Sequence, residues 1–233
     1  LHWLLTHKLE ADKAERGVLH YYCDLVRLVG AHVRSTHTEY TIPPASLEWA
    51  ESFLCKAGVT DSDCVVAVHP GATGAYKIWP PDRYAGLIDQ FSARGMKVLL
   101  LSGKFDVEVA EAIRSASRAH IIDVPTDDSI GHLAAILRHA RLCISNDSGP
   151  RHLAIAVGTS SLALFRQHHD REWDVYQHSP RVAILKGQDP CPACPAGLCR
   201  DVIPSAERFG AHCIRQIGVE EVLLRAEEMC STR

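Results

Sequence analysis

The run Asp147-Ser148-Gly149-Pro150-Arg151-His152 combines a carboxylate, a hydroxyl, a glycine and an imidazole within six residues. It follows a short apolar segment, 140–146, and opens a helix-like run, Leu153–Val157, that Gly158 ends. A strand that turns directly into a helix aims the free N–H groups of the first turn, and the positive end of the helix dipole, at whatever lies above the strand. Phosphate binds well in such a place. The Ser148-Gly149 pair lets an oxygen approach the backbone closely. Asp147 can accept from a ribose hydroxyl or cap the helix, and His152 can reach back over the first turn.

Three further loops carry polar chemistry. The first is His69-Pro70-Gly71-Ala72-Thr73-Gly74-Ala75-Tyr76-Lys77-Ile78-Trp79-Pro80-Pro81. Its glycines and Thr73 offer N–H and hydroxyl donors, and Lys77 adds a point charge. Pro80-Pro81 predicts the start of a helix, where proline is tolerated. The spacing fits neither a Walker A loop nor the G-x-G-x-x-G dinucleotide fingerprint. The second loop is Ser102-Gly103-Lys104-Phe105-Asp106-Val107-Glu108, where Asp106 is expected to cap a helix and Glu108 to complement its dipole. Either carboxylate could accept from ribose hydroxyls. In the third, Thr126-Asp127-Asp128-Ser129, a capped turn is expected from Asp128 or Ser129, and the same turn could wall a base pocket.

Two other chemistries compete. Asp147, Ser148 and His152 suggest a hydrolytic triad, but the nucleophile elbow G-x-S-x-G is missing, and a serine beside an aspartate on one turn lacks the triad geometry. Cys191, Cys194, Cys199 and Cys213, with His212 alongside, could hold a tetrahedral structural zinc. Their spacing departs from a standard zinc ribbon, so free or redox-labile thiols stay open as the alternative. His168, His169, Asp170 and Glu172 read as a solvated loop rather than a metal site.

The elements that must hold these loops are legible as a period. Strand-like runs fall at 64–69, 97–102, 120–124, 141–145, 160–165 and 182–186. Helix-like runs near 82–94, 106–118, 129–139 and 149–157 fill the first four gaps. This alternation predicts an α/β fold: a Rossmann-like open parallel sheet with helices on both faces. Ligands of such sheets bind beyond the carboxyl ends of the strands, where the four loops lie. Further helices are expected over 19–28, stopped by Gly30, over 46–56 with Ser46 as its cap and Gly58 as its stop, and over 218–229.

The chain has 233 residues, 46% of them apolar, and a net charge of −3. That is enough for one large domain or one domain with an appendage. No basic stripe is present, so nucleic acid is not an expected partner. No apolar run approaches a membrane span and no signal peptide is evident. Five of the nine cysteines (Cys23, Cys55, Cys64, Cys143 and Cys230) are scattered, mostly in apolar contexts, and are expected to be buried in a reducing cytoplasm. Because the first residue is Leu1, the chain is expected to begin inside a longer protein.

HPGATGAYKIWP at 69–80, LSG at 101–103, NDSGPRHLAIAVG at 146–158 and LALF at 162–165 followed by Trp173 resemble, in that order, the carboxyl-terminal domain of glycosyltransferase family nine, the heptosyltransferases of lipopolysaccharide core assembly. The resemblance covers roughly residues 64–217. The ending His212-Cys213-Ile214 is also similar to the tail of many members.

The resemblance implies a GT-B architecture, in which an amino-terminal domain takes the acceptor and a carboxyl-terminal domain takes a nucleotide-diphosphate sugar, typically ADP-heptose. It places Thr73 and Lys77 at the diphosphate and sugar, with Ser148 and Gly149 as phosphate donors. Asp147 and His152 would hold sugar and diphosphate, Glu108 the ribose and Asp128 the base. It implies no organic cofactor and no obligatory divalent metal. The general base of this inverting transfer would be an Asp of the amino-terminal domain. By the same resemblance, residues 1–60 correspond to the end of the acceptor half and the linker, 61–217 to the donor domain with the cysteine cluster, and 218–233 to a terminal helix. A donor-binding chain that does not turn over alone is the expectation, acting in the cytoplasm, with peripheral association of the full-length protein at the inner face of the cytoplasmic membrane as the resemblance's further implication.

The chain departs from the family pattern after LALF, where Arg166-Gln167-His168-His169 replaces the usual glycine and threonine-containing loop. Arg166 could change sugar specificity or clamp phosphate. The alternative functions are a non-catalytic, zinc-stabilised nucleotide-binding module and another sugar-nucleotide enzyme such as an epimerase.

Overall fold

Runs such as Val65-Val66-Ala67-Val68 are too uniformly apolar for a half-solvated sheet and fit strands covered on both faces. The computed structural model describes residues 6, 7, 9, 17–125, 129–166, 176, 179–187, 208–210 and 212–231. Two helices come first, α1 (Val18–Arg27) and α2 (Pro44–Lys56). An alternating series follows: β1 (Val65–His69), α3 (Pro81–Ala93), β2 (Lys97–Leu101), α4 (Val107–Ala116), β3 (Ile121–Val124), α5 (Ile130–His139), β4 (Leu142–Asn146), α6 (Gly149–Ala156), β5 (Ser160–Phe165), β6 (Val182–Lys186) and α7 (Val219–Ser231). The expected elements are present, with boundaries within about two residues.

The strands form one sheet in the order β3-β2-β1-β4-β5-β6, and every neighbouring pair is parallel. The chain leaves β1 toward β2 and β3, then crosses back to lay β4 on the other side of β1. The carboxyl ends of β1 and β4 therefore flank the topological switch point, where connecting loops diverge and leave a crevice. His69 at the end of β1 is in register with Ser145 of β4, one residue before its last.

Two apolar layers cover the sheet. Val66, Val68, Leu100, Ile144 and Leu164 face Leu87, Phe91, Ile113 and Val222 of α3, α4 and α7. Val65, Ala67, Leu99 and Cys143 face Ala50, Leu54, Ile136 and Ala154 of α2, α5 and α6. The region expected as remnant and linker thus includes a helix, α2, that packs into the core. No helix among the described residues is long and apolar enough to cross a membrane.

Local expectations need three corrections. Ser46 does not cap α2. Pro43 is the cap residue and Pro44 begins the helix, while Ser46 lies in the first turn against Gly131 of α5. A Cβ at Gly131 would sit 2.5 Å from the Ser46 hydroxyl, so glycine is what allows the two helices to meet. Asp106 occupies the cap position of α4, but its carboxylate makes no cap bond and turns elsewhere, as described below. Cys55 is exposed, whereas Cys23 and Cys143 are buried. Other signals act as expected: Ser129 accepts from the His132 N–H, and Gly30, Gly58 and Gly158 have positive φ just after their helices.

Candidate functional site

The loop after β1 is held by Asn146. Its side-chain oxygen accepts from the Trp79 N–H at 3.0 Å and from the Tyr84 hydroxyl at 3.1 Å, and its amide donates to Pro70 O at 2.6 Å. Trp79 is fully buried and donates its indole N–H to Ile217 O at 3.0 Å. The last residue of β4 thereby pins both ends of the 70–80 segment, and the middle of the segment arches over the switch point.

Lys77 leaves a short 3-10 turn, Ala75–Lys77, and pairs with Asp147 at 3.0 Å. The two side chains are only 15% and 9% exposed, so the pair is poorly screened. Ser148 is the cap residue of α6, yet no side chain caps that helix. Because Pro150 has no N–H, the Gly149 and Arg151 amides are the donors its first turn presents. A cation and the positive end of a helix thus stand together beside β4.

A second constellation lies on the β2 side. His69 Nδ1 is 3.1 Å from Ser148 Oγ, and His69 Nε2 is 3.4 Å from Asp106 Oδ2. Asp106 also accepts from the Gly103 N–H at 3.1 Å. Burial opposes the Asp106 charge, but the hydrogen bond and charge of His69, with the Gly103 amide, hold its carboxyl below the usual carboxylate range. A Cβ at Gly71 would lie 2.0 Å from that carboxylate, so the glycine makes room for it. His69 and Asp106 border a cavity of about 200 Å³ lined by Ser102, Gly103, Val124, Pro125, Ile130 and Leu133 among others. Its walls are largely apolar, and His69 and Asp106 are among its lining residues. Ile130 of the lining is exposed, and so are Phe105 and Val107, the sequence neighbours of Asp106.

On the β5 side, His152 Nδ1 is 3.2 Å from the Tyr176 hydroxyl. Burial pushes the His152 imidazole pKa down, the Arg151 charge adds to this, and Asp147 opposes it. Arg151 is fully buried, its guanidinium over Phe165 at 4.9 Å and Tyr176 at 5.5 Å. Arg166 lies over the ring of Tyr76 at 4.6 Å, next to Lys77 in sequence.

The fold therefore brings Lys77, Asp147, Ser148, Gly149 and His152 to one edge. Thr73 is exposed on the same arch. Glu108 is on the first turn of α4, paired with Arg208, and the carboxylate lining the cavity is Asp106 instead. Asp128 lies outside the described residues, as do Cys191, Cys194, Cys199, Gln167, His168, His169, Asp170, Glu172 and Trp173. Cys213 is described and fully buried. Among the described residues no cluster of three metal-ligating side chains occurs.

The family model for glycosyltransferase family 9 (heptosyltransferase) matches residues 2–199. The chain belongs to this family. Among its curated relatives, lipopolysaccharide heptosyltransferase 3 of Escherichia coli is 31% identical over 140 residues, 59% of this chain and 40% of that protein. The chain thus spans about two fifths of that relative's length. Among solved structures, a family 9 glycosyltransferase of Veillonella parvula superposes with a TM-score of 0.82 at 23% identity, over 99% of this chain and 64% of the other. ADP-heptose lipopolysaccharide heptosyltransferase II of E. coli gives 0.72 at 15% identity, over 95% and 64%. At these identities the superpositions speak for the fold alone.

In this family 9 chain, the sequence did not mark His69 and Asp106 as partners. The signal was present as a histidine closing β1 and two glycines, Gly71 and Gly103, around the position that Asp106 reaches.

Proposed function

We propose that this chain is the donor-binding part of an inverting glycosyltransferase that moves a heptose, or a related sugar, from ADP-heptose to a lipopolysaccharide-type acceptor. The observation that carries the reading is the poorly screened Lys77–Asp147 pair beside the uncapped start of α6, at the β1/β4 switch point. The diphosphate rests on the Gly149 and Arg151 amides and the Ser148 hydroxyl. Lys77 leaves Asp147 for the phosphate oxygens, and Asp147 and His152 turn to the sugar. The nucleoside enters the cavity between β2, β3 and α5, where Asp106 stands nearer than Glu108 for a ribose hydroxyl.

In the reaction the acceptor hydroxyl attacks the anomeric carbon while its bond to the diphosphate oxygen breaks. Negative charge grows on the leaving phosphate. Donors fixed there beforehand stabilise the transition state more than the ground state. The base that takes the hydroxyl proton belongs to an acceptor-binding half. We place the enzyme in the cytoplasm, next to the membrane that carries its acceptor.

Calorimetry with ADP-heptose, ADP, UDP and GDP tests the reading. Adenine-selective binding that is lost in Lys77→Ala and Asp147→Ala is expected. Equal binding of all nucleotides, or binding untouched by both substitutions, would refute it. A module without catalysis would bind but transfer nothing when joined to the acceptor-binding half.

A further inference from the structure

Arg166 is a buried cation that lacks a buried anion. It is the first residue after β5 and only 5% exposed, yet among the described residues no carboxylate pairs with it. The two acids of the crevice are engaged elsewhere, Asp147 by Lys77 and Asp106 by His69. The Arg166 guanidinium lies instead over the Tyr76 ring, 4.6 Å from its centre. An aromatic face holds a desolvated cation in place but leaves its charge uncancelled. A charge buried on those terms is costly, and an anion arriving at the site relieves that cost.

The fold sets this cation beside the Lys77–Asp147 pair. Leu164 of β5 is in register with Asn146 of β4, so Asp147 and Arg166 leave neighbouring strands at the same edge. Tyr76 belongs to the 3-10 turn that carries Lys77. One turn thereby places two cations, Lys77 by its own side chain and Arg166 by the adjoining ring. Gly74 makes room for that ring, since a Cβ there would come within 2.4 Å of it. The diphosphate of a sugar nucleotide is esterified at both ends and carries two negative charges. Lys77, once released by Asp147, matches one of them, and Arg166 is the second fixed charge.

Strand order gives the ligand a direction. The cavity is lined from β2, β3 and α5, whereas Arg166 follows β5, on the far side of β1 and β4. A nucleoside seated in that cavity sends its phosphates across β1 and β4 toward β5. The phosphate that reaches Arg166 is then the one bearing the sugar.

We propose, resting on the nucleotide-sugar reading above, that Arg166 is a specificity-determining ligand of the sugar-bearing phosphate. Held on the Tyr76 ring, its planar fork takes two oxygens of that phosphate, so the site selects nucleoside diphosphates and their sugars over nucleoside monophosphates. The same phosphate gains charge as its bond to the anomeric carbon breaks, and a guanidinium already fixed there meets that charge without reorganising.

Calorimetric titration of the chain with ADP-heptose, ADP and AMP tests the assignment, because AMP lacks the phosphate in question. The unsubstituted chain is expected to bind ADP-heptose and ADP more tightly than AMP. Arg166→Met keeps an apolar stem and drops the charge. It is expected to weaken ADP-heptose and ADP by roughly tenfold to a hundredfold, the scale of losing a charged hydrogen-bond partner, and to leave AMP within about twofold. Arg166→Lys restores the charge without the fork and is expected to recover part of the loss. Tyr76→Leu removes the platform and is expected to weaken ADP while sparing AMP. An Arg166 that only packs against Tyr76 would, on substitution, weaken all three ligands alike or none of them, and either outcome overturns the proposal. Should Arg166→Met fail to fold, Arg166→Lys decides alone: a loss confined to ADP and ADP-heptose supports the proposal, and a loss shared by AMP, or no loss, overturns it. Those results leave the donor reading standing. Absence of binding by all three ligands to the unsubstituted chain sinks the donor reading and the role of Arg166 with it.

Discussion

Asn146 illustrates how one polar side chain sets the shape of a binding loop. It is fully buried, and three hydrogen bonds tie it to the backbone of Trp79, the hydroxyl of Tyr84 and the carbonyl of Pro70. Replacing it with alanine leaves those partners buried without it, each at a cost of about 1 kcal/mol or more. Asn146→Ala is therefore expected to lower stability by about 3 kcal/mol in urea unfolding, and to loosen the arch that carries Lys77. Lys77→Ala leaves the mostly buried Asp147 carboxylate without its partner, so it is expected to lower stability by up to a few kcal/mol, and nucleotide-sugar affinity is expected to fall on the order of a hundredfold, the scale of losing one partner of a close charge pair. Phe105, between the cavity-lining Gly103 and Asp106 in sequence, is 89% exposed, an unusual state for a large ring unless something covers it. Phe105→Ala is expected to leave the melting temperature unchanged and to weaken adenine-nucleotide binding by about 1 kcal/mol, the worth of one stacking contact, measured by calorimetry.

Elements were more legible than the directions of their side chains. Strand and helix positions follow from apolar period and glycine stops, which act locally, so the alternation and most boundaries were readable. The polar loops were readable as a set because the topology of a parallel sheet sends them all to one edge. What the period does not encode is where a short side chain points. Asp106 sits where a cap belongs, yet a histidine 37 positions upstream takes its carboxylate; Ser46 looks like a cap, yet the approach of α5 buries it. Both depend on glycines in distant elements. The Gly131–Ser46 contact makes this testable. Gly131→Ala gains about 1 kcal/mol of helix propensity but forces a Cβ to 2.5 Å from the Ser46 hydroxyl. The Ser46→Ala/Gly131→Ala double variant keeps the gain without the clash. It is expected to be more stable than either single variant, with a coupling energy of at least about 1 kcal/mol in a double-mutant cycle.

At the scale of the whole molecule, buried ionisable groups shape the stability profile from both ends of the pH range. Asp106 is held below its ordinary value of 3.8 against the opposing cost of burial; Asp89 is held below it too, also against burial, by the Ser117 hydroxyl and the Arg118 and Ala119 amides. A carboxyl with a depressed folded value binds its proton more weakly in the folded chain. Its contribution is complete above the unfolded value and is lost as pH falls through the folded one. On the alkaline side, burial alone pushes the Cys143 thiol from its ordinary 9.0 up to about 12. The unfolded thiol ionises near pH 9 while the folded one keeps its proton, so stability is full below that point and falls as pH rises toward 12. One such group steepens the decline by about 1.4 kcal/mol per pH unit. Urea midpoints measured from pH 3 to 10.5 should therefore trace a plateau with a shoulder on each side. Asp89→Asn should flatten the acid shoulder and leave the alkaline one. Cys143→Ala removes only a small buried group from the middle of β4, so it should lower the plateau modestly and flatten the decline above pH 9. A decline of unchanged slope in Cys143→Ala would mean that other groups govern the alkaline limit: first Cys230, whose thiol burial also pushes from 9.0 up to about 12, and then Tyr84, whose hydroxyl is raised by burial from a higher ordinary value.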